Sequence, residues 1–172
     1  LSLHDALPIS VAVVITGTAE KDVPQETVPE TLEDGTVVPP ETEVPDDGYY
    51  YLFASINNCC DGERSRYKVV VGRSQDLLGP YLDKSGKDMI NNAWELVLEG
   101  DGQKFFGPGH NSIIIPDDAG TDWMIYHSYV KENGTVGGRL GMLDRIVWSA
   151  DGWPTIKKCV PSKGDLLPVF NN

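Results

Sequence analysis

Few side chains in this sequence are placed to do chemistry. His110 follows Gly107-Pro108-Gly109. Glycines on both sides of a proline let the backbone come close to a neighbour. An imidazole there can ligate a metal or exchange a proton near neutral pH, but it also suits an ordinary loop position. His127, inside IYHSY, reads as a packed or hydrogen-bonded strand residue. Cys59 and Cys60 are adjacent and Cys159 stands apart. Neighbouring cysteines bridge only through a strained ring, and no zinc spacing is present, so free thiols are expected. Arg139 and Arg145 lie in an apolar string, where an arginine more often serves the surface or packing. Glu33 and Glu43 sit in an acidic stretch and, on composition, are solvated loop residues.

The elements that must position these groups read as short strands. VAVVIT (11–16) is β-branched and apolar. From Tyr49 onward, strands are expected at 49–56, 65–74, 94–100, 110–116, 122–130 and 139–148, with a short one near 155–157. Gly, Asp and Asn turns separate them. No helical periodicity is long enough for a βαβ unit, so the fold class is all-β and antiparallel: a sandwich, barrel or propeller.

Charge divides the chain. The 172 residues carry a net charge of −12. Residues 20–47 hold ten acids against one lysine, a net of −9, and five prolines. Such a stretch sustains neither a helix nor a central strand and reads as a long acidic loop or insertion. The negative balance argues against nucleic acid as a partner. No run approaches the roughly 18 apolar residues of a membrane span. Residues 1–10 (LSLHDALPIS) resemble a translated sequencing adapter. Three segments follow: 1–10 as non-native, 11–48 as the acidic loop, and 49–172 as the folded part.

Four strings carry a family resemblance: YYYLFASINNCCDG (49–62), VVVGRSQDLLGPYLDKSGKDM (69–89), FFGPGHNSIII with DWMIYHSY (105–115 and 122–129), and GRLGMLDRIVWSADGWPTI (138–156). In order and spacing they resemble the last two blades of the five-bladed β-propellers of glycoside hydrolase family 43, on its arabinan-degrading side. The resemblance implies a C-terminal fragment of an enzyme that cuts α-1,5-linked arabinan or arabinofuranosides by inversion, inactive on its own and monomeric when complete. It implies that His110 lies at the propeller axis and helps hold a metal ion, often calcium. It implies that the loop of Asn58, Cys59 and Cys60 borders the sugar pocket, which Arg139 or Arg145 could reach from the last blade. The polymeric substrate implies an extracellular or periplasmic location.

Inverting hydrolysis needs an acid and a base, typically about 6.5–9.5 Å apart. In the family the base and a second, pKa-tuning residue are Asp, and no residue here matches either string. The family's acid is a Glu shortly before the YYYLF strand. That motif is not intact here: Glu33 in LEDGTVV is the nearest fit, with Asp34-Gly35 in place of a small residue and proline, Glu43 in TEVP is the next, and the alternative is an acid lost upstream or replaced by the acidic insertion. The alternative reading is a carbohydrate-binding or structural module without catalysis.

Overall fold

The computed structural model describes the backbone of residues 11–15 and residues 48–164 and 166–171. Residues 1–10 and most of the acidic segment, with Glu33 and Glu43, lie outside the described residues.

Two antiparallel sheets are present. The first is a four-stranded meander of β1 (Val11–Ile15), β2 (Tyr50–Ile56), β3 (Lys68–Ser74) and β4 (Glu95–Leu98), in chain order. β1 pairs with β2 from Val11 opposite Ala54 to Ile15 opposite Tyr50, so the acidic segment connects two neighbouring strands. The second contains β5 (Phe105–Gly109), β6 (Ile114–Pro116), β7 (Asp122–Glu132), β8 (Thr135–Trp148) and β9 (Pro154–Ile156). Its order is β5-β7-β8-β9, and β6 also pairs with β7.

The core lies between the sheets. Tyr51, Phe53, Val69, Val71, Val97 and Leu98 from the first meet Met124, Tyr126, Ile146, Trp148 and Ile156 from the second. Val69, Val70 and Val71 are all fully buried, so β3 is covered on both faces, as a strand between packed layers must be. The Tyr51 hydroxyl donates to the Gly152 carbonyl at 2.5 Å, and its ring meets Trp148 edge-on at 5.0 Å. Trp148 Nε1 donates to the buried Asp122 carboxylate at 2.7 Å. Trp153 is buried, with the Arg73 guanidinium 4.6 Å from its ring centroid. Trp148 and Trp153 are therefore packing aromatics that join the sheets. Each sheet has the form of a propeller blade, and the pair makes a partial β-propeller.

The sequence reading departs from this fold at three points. A strand is expected at 110–116, whereas pairing runs through Phe105–Gly109, breaks, and resumes at Ile114. Two glycines and a proline make 105–109 look like a turn. Among the described residues β5 pairs only with β7, so Pro108 lies on an edge and interrupts no ladder there. Second, β7 and β8 run past the expected ends to Glu132 and Thr135. Asn133 and Gly134 both have positive φ, 49° and 79°, and close the hairpin in two residues. That tight turn keeps the glycine-rich start of β8 paired. Third, Cys59 and Cys60 are not free thiols: they form a disulfide, while Cys159 is free. Cys60 has φ 71°, and this left-handed turn brings its side chain back onto that of its neighbour.

Candidate functional site

β5 and β6 act as one inner strand with a break. Gly109 is opposite His127 and Ile114 is opposite Met124, so four residues, 110–113, stand against two on β7. His110, with φ 55°, opens this bulge. Bulges re-aim side chains, and the His110 side chain is exposed here. Its backbone is fixed across the sheets. His110 N donates to Ser55 Oγ at 2.9 Å, and Ser55 Oγ donates to Asn111 Oδ1 at 2.8 Å. Ser55 is fully buried at the end of β2, so the first sheet sets the position of the bulge in the second.

The glycines before His110 are required by close approach of protein rather than ligand. A Cβ at Gly107 would lie 2.4 Å from Ser65 Cβ, and one at Gly109 would lie 2.2 Å from the Tyr67 ring. Ser65 and Tyr67 belong to the segment between β2 and β3, which also carries the cysteine pair. That segment is tied down at several points. Asp61 N donates to Ser65 Oγ at 2.9 Å, Arg66 N to the Asn58 carbonyl at 3.0 Å, and Glu63 pairs with Lys131 of β7 at 2.8 Å. The Asn58 side-chain amide donates to the Arg64 carbonyl at 3.3 Å, so Asn58 shapes this loop.

Five side chains from four segments then meet. Arg139 Nη1 lies 3.2 Å from His127 Nε2 and 3.6 Å from Cys60 Sγ. The His127 ring lies 5.4 Å from that of His110 and 6.5 Å from that of Tyr67, each at 30°. Burial, then the neighbouring Arg139 guanidinium and His110, hold His127 below the ordinary histidine range. The structure thus brings together His110, Cys60 and Arg139, all expected from the sequence, and places Asn58 and Cys59 in the same loop as Cys60. It adds His127, which the sequence suggests only as a packed residue. Arg145 lies six residues along β8, opposite Trp123, away from the Tyr129 register of Arg139.

Among the described residues, the hydrogen bonds of His110, His127, Arg139 and Cys60 include no carboxylate. Among the described residues, no group of three or more His, Cys, Asp or Glu is gathered to hold a metal. One imidazole without oxygen ligands does not build a calcium site, since calcium takes six to eight oxygens. Two clefts of about 250 and 320 Å³ occur among the described residues, but none of His110, His127, Arg139 or the cysteine pair lines either. What the cluster offers is a rim of donors and a sulfur surface. Arg139 is exposed and uses one nitrogen for both contacts, leaving its remaining donors to face outward.

Comparison with known proteins agrees with this geometry. The model of glycosyl hydrolases family 43 matches residues 15–154. An extracellular exo-α-(1→5)-L-arabinofuranosidase of Cellvibrio japonicus is 40% identical over 108 residues, which is 63% of this chain and 30% of that protein. An extracellular endo-α-(1→5)-L-arabinanase of Bacillus subtilis is 37% identical over 63% of this chain and 31% of its own length. Among solved structures, the α-L-arabinanase of Cellvibrio cellulosa superposes with a TM-score of 0.59 at 35% identity, over 66% of this chain and 35% of that one. An exo-1,5-α-L-arabinanase from a bovine ruminal metagenomic library gives a TM-score of 0.58 at 35% identity, over 66% and 36%. The chain spans about a third of the length of the relatives it matches. With the family match running through both sheets and the inner-strand bulge, the chain belongs to glycosyl hydrolases family 43.

Proposed function

We propose that this chain forms two blades of an enzyme that hydrolyses α-1,5-linked arabinan or arabinofuranosides with inversion. The observation that carries this reading is the convergence of Cys60, Arg139, His127 and His110 at the break in the inner strand. Arginine is a fixed fork of donors, suited to the hydroxyls of a furanose. The disulfide beside it gives a compact, weakly polar wall. In this reading Arg139 and the Cys59–Cys60 bridge border the sugar, Asn58 holds the loop that carries the bridge, and His110 marks the axis. A calcium ion at His110 would take its oxygen ligands from water and from outside the described residues.

The acid and base also lie outside the described site. Glu33 is the acid this chain offers, with Glu43 second. The base and the tuning Asp come from upstream blades, so the chain alone does not hydrolyse arabinan. The two relatives whose names describe extracellular enzymes, together with a polymeric substrate, support a location outside the cell.

A second reading is a carbohydrate-binding module without catalysis, for which the exposed Arg139 beside the Cys59–Cys60 bridge suffices. Affinity electrophoresis of the 172-residue chain in linear arabinan and in xylan gels tests the shared substrate claim. Retardation in arabinan alone is expected; retardation in xylan alone contradicts it. Assay of the product of the whole reading frame separates the two readings, because a binding module retards without releasing sugar.

A further inference from the structure

We propose that His127 is a positioning residue for Arg139: its neutral imidazole accepts a guanidinium proton at Nε2 and holds the arginine against Cys60 at the sugar-facing rim. The proposal rests on the reading of this rim as sugar-facing, and it adds to that reading a residue which the sequence marks only as packed.

The contact fixes the chemistry of the ring. Arginine only donates, so at 3.2 Å from Arg139 Nη1 the His127 Nε2 must be the acceptor. The proton of the neutral ring then sits on Nδ1. That atom is buried and has no partner among the described residues. Among the described residues, the hydrogen bond that fixes the tautomer is the one from Arg139.

The sheet makes room for the contact. His127 has Gly109 opposite it on β5 and Gly141 opposite it on β8, so neither cross-strand partner carries a side chain. The Tyr67 ring fills the space over Gly109, where a Cβ would lie 2.2 Å from it. Arg139, opposite Tyr129, is the diagonal neighbour on the other side and reaches Nε2, while the space above Gly141 stays open. Diagonal pairs are within reach of long side chains. Tyr67 on one side and His110 on another then limit ring rotation.

The groups facing His127 are Arg139 from β8, His110 from the bulge, Tyr67 from the β2–β3 segment, and the bridged Cys60 next to Arg139. Arg139 is the one of these that reaches a ring nitrogen of His127 among the described residues.

The test uses the 172-residue chain with isotope-labelled histidine. Nitrogen chemical shifts are expected to show the neutral His127 ring as the Nδ1–H tautomer. In Arg139→Met the ring should shift toward Nε2–H. An Nε2–H tautomer in the parent chain, or no response to Arg139→Met, overturns the proposal. Arabinohexaose affinity supplies the second readout. His127→Gln keeps an oxygen acceptor and should stay near the parent value. His127→Phe keeps the packing but not the acceptor and should lose about tenfold, as expected for one hydrogen bond to a charged group. His127→Phe should cost nothing more in an Arg139→Met background. Equal losses for His127→Gln and His127→Phe, or additive losses in the double variant, overturn the positioning role. If the parent chain binds no arabinohexaose but shows the Nδ1–H tautomer and its response to Arg139→Met, the sugar reading fails and the positioning contact stands.

Discussion

Among the described residues, half-buried His127 and buried Asp117 both contribute to the pH dependence of stability. His127 is held below its ordinary range, so the unfolded chain binds a proton more readily than the folded one. Stability should therefore rise with pH between the folded value and about 6.5, the unperturbed value for histidine. In His127→Phe that slope should vanish from denaturation midpoints measured across this window. Asp117 acts in the same direction, at lower pH and through its charged form. Burial raises its pKa, but donation from Val169 N, Trp123 Nε1, Thr121 N and Ala119 N outweighs this and leaves it lowered. Its contribution is present above the ordinary carboxylate range and is lost as pH falls through its folded value. Because Asp117 pins the C-terminal segment at Val169, Asp117→Asn should cost about 1–3 kcal/mol by urea denaturation and expose 166–171 to proteolysis. The chemistry of individual residues was only partly legible beforehand. His110 and Arg139 stand out in the sequence. The disulfide does not, because adjacency argues against bridging unless the backbone turns left-handed at Cys60. His127 is hidden because an imidazole in a strand looks like any packed residue until its cross-strand partners, Gly109 and Gly141, are known.

The elements carry the site through close backbone approach. β5 can lie against Ser65 and Tyr67 only because Gly107 and Gly109 lack side chains. Gly109→Ala must displace the Tyr67 ring and should cost about 1–3 kcal/mol, the usual range for overpacking. Because Tyr67 flanks His127, the same change should disturb the Arg139 contact. The histidine nitrogen shifts would report this even if the thermal transition moved little. β2, β3 and β7 are legible from alternation and β-branched content. The inner strand is not, because Gly-Pro-Gly carries a turn's composition. The start of β8 is not, because Gly137 and Gly138 have no strand preference and sit at a register shift, while the Asn133-Gly134 turn pairs Thr135 and Val136 beside them.

At the scale of the molecule, two blades share one core and leave apolar surface beyond it. Ile113, Ile115, Ile125 and Leu140 of the second sheet and its bulge are between 37% and 59% exposed. Patches of this kind belong in contact with another layer, and in a five-bladed ring the neighbouring blades would supply it. The isolated chain should therefore self-associate with rising concentration in sedimentation velocity, and Ile125→Glu should reduce this without unfolding the core. A chain that stays monomeric with these residues exposed would argue against missing neighbours.

The central claim is that this rim serves arabinan hydrolysis within a larger enzyme. The most direct test is sugar release from linear α-1,5-arabinan and from xylan by the product of the whole reading frame containing this sequence, beside its Arg139→Met variant. The account predicts arabinose or arabino-oligosaccharides from arabinan, little from xylan, and a loss of at least about tenfold in kcat/KM for the variant. Release from xylan alone, or an Arg139→Met enzyme as active as the parent, would contradict it.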